Sequence, residues 1–196
     1  INRSESAFSI DVSPDGKPSI RFGLSAVKNV GANAVKPIVE NRKMHGPFVS
    51  IEDMCRRADI KGLNRRALES LIKVGTLDTF APRGHILASM EQILGNAQRE
   101  AKLKESGQTT MFDMFGDSVD APVEKITLQQ GDVLKQEELG WERELLGTFV
   151  SKNPLSALLY NSSSNSIISQ SDLTPEKVGQ RVTIVGQILS KTIRNT

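Results

Sequence analysis

This sequence is poor in the residues on which small stapled or metal-built domains depend. Its single cysteine, Cys55, allows no internal disulfide and fits a reducing compartment. Its two histidines, His45 and His85, do not stand with Cys55 at metal-ligand spacing, so no structural zinc is expected. No apolar run approaches the length of a membrane span and no signal peptide is present, which points to a cytoplasmic setting without a membrane partner. No Asp-x-Asp pair occurs, and nucleotidyl transfer needs clustered carboxylates to hold two metal ions. A P-loop, a dinucleotide fingerprint and a Cys–His nucleophile arrangement are missing as well. No catalytic residue, metal ligand or cofactor site is therefore assigned, and these residues by themselves are not expected to catalyse a reaction. The first residue is Ile and not Met, which suggests a piece of a longer protein.

What is present is an ordinary globular composition with an uneven distribution of charge. The 196 residues are 38% hydrophobic and 24% charged, enough for one or two small domains with real cores. Residues 56–104 carry ten Lys/Arg against five Asp/Glu, whereas residues 105–147 carry three against ten. Affinity for phosphate, if the chain has any, belongs to the first of these stretches.

That basic stretch centres on Leu63–Leu94, which reads as helix, short hairpin, helix. Asn64 is a good N-cap, and Leu68, Leu71 and Ile72 form one apolar stripe. Gly75 supplies the left-handed residue that stops the first helix, and Thr76–Arg83 form a tight connector containing Pro82. The second helix places Ile86, Leu87, Met90, Ile93, Leu94 and Ala97 on one face and runs on, increasingly charged, to Gly107. Arg65 and Arg66 fall in a first helical turn, where positive charge opposes the helix dipole. An arriving anion would account for them; so would two solvated arginines on an ordinary helical hairpin.

On the N-terminal side, Phe8, Ile10 and Val12 alternate, Pro-Asp-Gly turns the chain, and Ile20 and Phe22 alternate back. This predicts a β-hairpin with a structural role. Leu24–Arg42 then reads as a second helical hairpin, with Asn29, Val30 and Gly31 at the turn. Asn tolerates the positive φ that such turns demand, while Pro37 should bend the helix that follows. Ser50 and Asp53 resemble a capping box, and Cys55 is expected to pack as a small apolar residue.

Beyond residue 106 the chain changes character. Residues 107–119 place Met111-Phe112 and Met114-Phe115 in a Gly-bounded polar stretch, either folded onto the core or serving as a short linear motif for a partner. Thr127–Leu146 is an amphipathic stretch ended by Gly147, Asn161–Ser166 is a low-complexity linker, and Arg181–Ser190 alternates as a strand.

Five runs, IRFGLSAVKNVG, FVSIEDMCRRAD, LNRRALESLIKVGTLDTF, GQTTMF and WERELLGTFVSKNPL, together resemble the alpha subunits of bacterial DNA polymerase III, the C-family replicases. The resemblance covers nearly the whole chain in family order. It implies a mainly α fold: a tandem helix-hairpin-helix bundle with an N-terminal β-hairpin and a C-terminal strand from a truncated OB domain. Residues 1–24 would be the hairpin ending the fingers region, 25–106 the tandem helix-hairpin-helix domain, and 107–125 a flexible clamp-binding loop. Residues 126–160 would be a helical extension, 161–180 a linker, and 181–196 the first OB strand. The implied duplex contacts are Asn29, Val30, Gly31, Lys61, Arg65, Arg66, Lys73, Gly75, Thr76 and Arg83. Gln108, Thr109, Thr110, Met111 and Phe112 would be the motif that binds the sliding clamp, although Thr109 departs from the family's small or apolar residue. The implied partners are duplex DNA, the clamp and other replicase subunits. Magnesium and the aspartates that bind it would belong to the parent polymerase, upstream of this piece. Two alternatives from other classes are a helix-hairpin-helix module of a DNA-repair or structure-specific protein and a purely helical scaffold. Salt-dependent duplex binding would exclude the scaffold, and a polymerase palm upstream would exclude the repair module.

Overall fold

Aliphatic stripes interrupted by glycine produce six α-helices among the described residues of the computed structural model, which are 1–13, 16–58, 63–105, 125–151, 167–168 and 173–184. Two compact units are present, Ile1–Thr148 and Phe149–Thr196.

The first unit opens with an antiparallel hairpin, β1 (Ser9–Val12) and β2 (Pro18–Arg21), in which Ile10 faces Ile20 across the ladder. The expected Phe8 and Phe22 flank it, with ring centroids 4.9 Å apart. A 3-10 turn at Leu24–Ala26 leads to α1 (Ala32–His45). Pro37 does not interrupt α1. The backbone bond that Pro37 cannot make is the one to Asn33, which is exposed, so the freed carbonyl can be hydrated. Ser50 caps α2 (Ile51–Arg57), its hydroxyl accepting from the Asp53 amide at 3.1 Å, and the Asp53 carboxylate in turn accepts from Val49 N–H at 3.0 Å. Asn64 caps α3 (Arg65–Lys73) by accepting from Ala67 N–H at 2.9 Å.

The long helix expected after Pro82 is two helices, α4 (Arg83–Ala88) and α5 (Met90–Glu105), broken at Ser89. At the break the Ser89 hydroxyl accepts the Gln129 amide at 2.7 Å, a tertiary bond that a helical pattern does not encode. The amphipathic stretch 127–146 is helical only in its second half, α6 (Lys135–Leu146), which Gly147 ends at φ 76. Its first half is drawn out because other elements take its backbone. Gln129 N–H is the donor to Ser89, and Gly131 lies so close to Gly84 that a Cβ on either would collide with the other's backbone; just before the stretch, Ile126 N–H donates to the Glu52 carboxylate at 2.9 Å.

Leu24, Val35, Ile38, Met54, Leu68, Leu71, Ile72, Ile86 and Ile93 are buried at 1% exposure or less and form the core between the helices. Cys55 lies among them as a small apolar group. In the second unit, β3 (Ile167–Ile168) pairs in parallel with β4 (Thr183–Ile184), and a 3-10 turn spans Pro175–Lys177. The stretch read as a linker, 161–180, thus contributes a strand that pairs with the expected one. Pairing offsets the cost of an unpartnered strand.

Candidate nucleic-acid interface

The turn before α1 has the geometry to bind an anion. Asn29 adopts φ 71, the only positive φ among described non-glycine residues, and this brings the chain round into α1. Val30 is buried beneath the turn, while Lys28, Asn29, Gly31, Ala32 and Asn33 are exposed above it. Gly31 is the N-cap and has no side chain to satisfy the amides of the first turn, which holds no acidic residue. The amides of Gly31, Ala32 and Asn33 have no hydrogen-bond partner among the described residues. Free N–H groups and the positive end of a 14-residue helix therefore face solvent together. The turn is anchored from behind. Asn29 Nδ2 donates to Ser70 Oγ on α3 at 3.1 Å, and Lys28 N–H donates to the Leu145 carbonyl at the end of α6 at 2.9 Å.

The second turn, after α3, is closed. Gly75 has the expected positive φ of 77, but its amide donates to Ile72 O at 2.9 Å and the Thr76 amide to Leu71 O at 3.1 Å. The Thr76 hydroxyl is spent on the same Leu71 carbonyl at 2.9 Å. Above Gly75 lie the Arg83 guanidinium and the Asp78 carboxylate, which a Cβ at this position would strike. The turn amides proposed from sequence at Gly75 and Thr76 are thus internal donors.

Arg83, predicted to meet phosphate, is 8% exposed. Its Nε donates to Asp78 at 2.9 Å, its Nη1 to the Lys73 carbonyl at 3.2 Å, and both terminal nitrogens lie 3.5 Å from the buried Glu142 carboxylate. This arginine joins α4 to α6 and to the end of α3, so its charge is neutralised inside the unit. Lys73 is also engaged: its Nζ lies 2.7 Å from Glu69 and 5.2 Å from the centre of the Trp141 ring. Arg65 and Arg66 are exposed at the start of α3. Arg65 pairs with Glu91 at 2.8 Å, and both side chains are largely in water, so a phosphate can displace the glutamate at little cost. Arg66 is one helical turn before Ser70, on the stripe that reaches Asn29. Lys61 and the whole Gln108, Thr109, Thr110, Met111, Phe112 motif lie outside the described residues.

Two contributors escaped the sequence reading. Lys28 has an exposed side chain beside the first turn, with no ion-pair partner among the described residues, and α6 supplies the carbonyl that fixes its backbone. The lysine was legible from its place next to Asn29. The α6 contact was not, because it joins residues more than a hundred positions apart. Cys55 offers no nucleophile: burial, and then the Glu52 and Glu100 charges, push its thiol up to about 12.

Comparison with known proteins agrees with this geometry. The helix-hairpin-helix motif family matches residues 1–87, which include both turns. The DNA polymerase III alpha subunit of Thermus aquaticus is 41% identical over 137 residues, covering 69% of this chain and 11% of the relative. That of Haemophilus influenzae is 32% identical over 178 residues, 90% of this chain and 15% of the relative. That of Vibrio cholerae is 30% identical over 185 residues, 93% of this chain and 16% of the relative. The chain thus spans between 11% and 16% of the length of these relatives, in a segment built around two helical hairpins, and it belongs to the alpha-subunit family of bacterial DNA polymerase III.

Proposed function

We propose that this chain is the part of a replicative DNA polymerase that grips duplex DNA behind the site of synthesis, holding the phosphate backbone without reading bases. The observation that carries the reading is the first turn, where exposed amides at an uncapped, acid-free helix N-terminus stand beside Lys28 and Asn29. Such a site neutralises phosphates and presents nothing to base edges. Arg65 and Arg66 extend it along α3. Sliding-clamp binding through Gln108–Phe112, contacts with other replicase subunits and an OB-type continuation after β4 belong to the same proposal. Nucleotide addition, with its magnesium, would be work for the rest of the polymerase.

Gly31→Asp tests the DNA contact. Gly31 has φ −81 and open space where a Cβ would go, and Asp is a better N-cap than Gly. The variant should be as stable as the parent or more so, while its duplex affinity falls about tenfold because a carboxylate now occupies the anion position. Unchanged affinity would remove the first turn from the interface. For the clamp, Met111→Ala with Phe112→Ala should lose about 2 kcal/mol or more of binding while duplex affinity holds. Loss from Met114→Ala with Phe115→Ala in its place would shift the motif.

A further inference from the structure

The helix-hairpin-helix match stops at residue 87, yet the first turn is completed by α6, which lies beyond it. Val30 N–H donates to the Val27 carbonyl at 3.1 Å, and Asn29 at φ 71 stands third of those four residues, as in a type II turn. Val27 and Val30 are buried and fix the ends of the turn. Its two middle residues are held from outside: Asn29 by Ser70 on α3, and Lys28 by the Leu145 carbonyl at 2.9 Å. That carbonyl is available because Gly147 stops α6 at φ 76 and leaves the last carbonyls without donors from within the helix. Packing of α6 then sets where the carbonyl lies. Leu145 is buried, and Glu142, one turn earlier on the same face, is 1% exposed against Arg83. α6 cannot rotate about its axis without stranding a buried carboxylate. Trp141 adds a second hold, the centre of its ring 5.2 Å from Lys73 Nζ on α3.

We propose that α6 is a positioning element of the phosphate grip, with Glu142 and Leu145 acting through the Lys28 amide, an inference that rests on the DNA reading of the first turn. A phosphate held by backbone amides needs several N–H groups aimed together, so the orientation of the turn matters as well as its charge. A turn whose middle is pinned only at Asn29 can tilt about that bond. Pins on two adjacent residues, from two different helices, remove the tilt. The Gly31, Ala32 and Asn33 amides are then held in one orientation before an anion arrives, which lowers the ordering cost of binding. α6 brings nothing to the DNA itself, because Glu142 and Leu145 are buried and the Leu145 carbonyl is taken by Lys28.

Two substitutions at one position separate the pin from the charge. Lys28→Ala removes the exposed ammonium and keeps the N–H. Lys28→Pro removes both, and the backbone accepts it: proline is favoured at the second residue of a type II turn, and Val27 already has the extended ψ of 127 that a following proline requires. In the 196-residue chain, at a temperature where melting curves show every variant folded, Lys28→Pro should bind duplex about tenfold more weakly than Lys28→Ala. The two should share one salt slope, since they carry the same cations. Equal or tighter binding by Lys28→Pro overturns the proposal. Glu142→Gln is the second arm, and it decides the matter if Lys28→Pro does not fold. It should weaken duplex binding about threefold in the Lys28→Ala chain and add nothing in the Lys28→Pro chain, where its path is already cut. No effect in the Lys28→Ala chain, or the same effect in both, overturns the proposal. Gly31→Asp keeps the two readings apart. If it weakens binding while Lys28→Pro matches Lys28→Ala, only the role of α6 fails; if it leaves affinity unchanged, the DNA reading of this turn fails and takes the role of α6 with it.

Discussion

The two helical hairpins follow the same recipe, an apolar residue and glycine at a turn between helices, and they end with opposite chemistry. At the first, Gly31 leaves the helix N-terminus uncapped and its amides face water. At the second, Gly75 is roofed by Arg83 and Asp78, and its amides are spent on the preceding helix. What separates them is the neighbourhood. α6 touches the first turn only from behind, through the Leu145 carbonyl, whereas it places Glu142 against the arginine that covers the second. A glycine at a hairpin turn therefore shows that the backbone can turn there. Whether the turn can receive a phosphate depends on what else converges on it.

The largest effect should come from removing the element that closes the second turn. Glu142→Ala leaves the buried Arg83 with Asp78 as its remaining carboxylate, and should cost about 3 kcal/mol in urea denaturation. Glu142→Gln, which can still accept a hydrogen bond, should cost less. If Glu142→Ala left stability unchanged, the closed turn would owe nothing to that carboxylate.

Next is the separation of DNA contact from stability among the arginines. Arg65→Ala with Arg66→Ala should lower the slope of log affinity against log salt by about 2 and leave the melting temperature nearly unchanged. Arg83→Ala should do the opposite, losing stability with the slope intact. The same slope change in both variants would erase the distinction drawn between the hairpins.

The smallest effect is at Asn29. Its φ of 71 suits glycine, so Asn29→Gly should shift stability by less than about 0.5 kcal/mol, the loss of the Ser70 bond being set against relieved backbone strain. Asn29→Ala should cost about 1 kcal/mol, because alanine resists positive φ and cannot reach Ser70. Equal stability of the two variants would show that the positive φ is not maintained in solution.

Local features were legible in the sequence because a few neighbouring residues decide them. Asn64 and Ser50 cap helices as their side chains dictate, Gly75 and Gly147 stop helices, and the Phe8–Phe22 hairpin has the register that alternation implies. Features set by distant partners were not. Nothing near Ser89 announces that Gln129 will take its hydroxyl, and nothing near Gly84 announces Gly131. The helix read as one piece from Arg83 to Gly107 is therefore two, and the amphipathic stretch 127–146 is helical only from Lys135. Arg83 was misplaced for the same reason. A basic residue beside a helical turn is a fair candidate for a phosphate until a carboxylate 59 positions away arrives within 3.5 Å.

The amino-acid sequence alone determined that this chain is mainly helical, that it turns at Asn29–Gly31 and at Gly75, and that it resembles a replicase family. Each of these depends on residue type and spacing over at most a few helical turns, or on the order of several such runs. Tertiary structure decided which turn is open to an anion, which arginines are still in water, and which side of the β-hairpin faces outward. Those outcomes depend on which groups meet after the chain folds, since a buried guanidinium must find its carboxylate and a free amide is free only where no other segment reaches it.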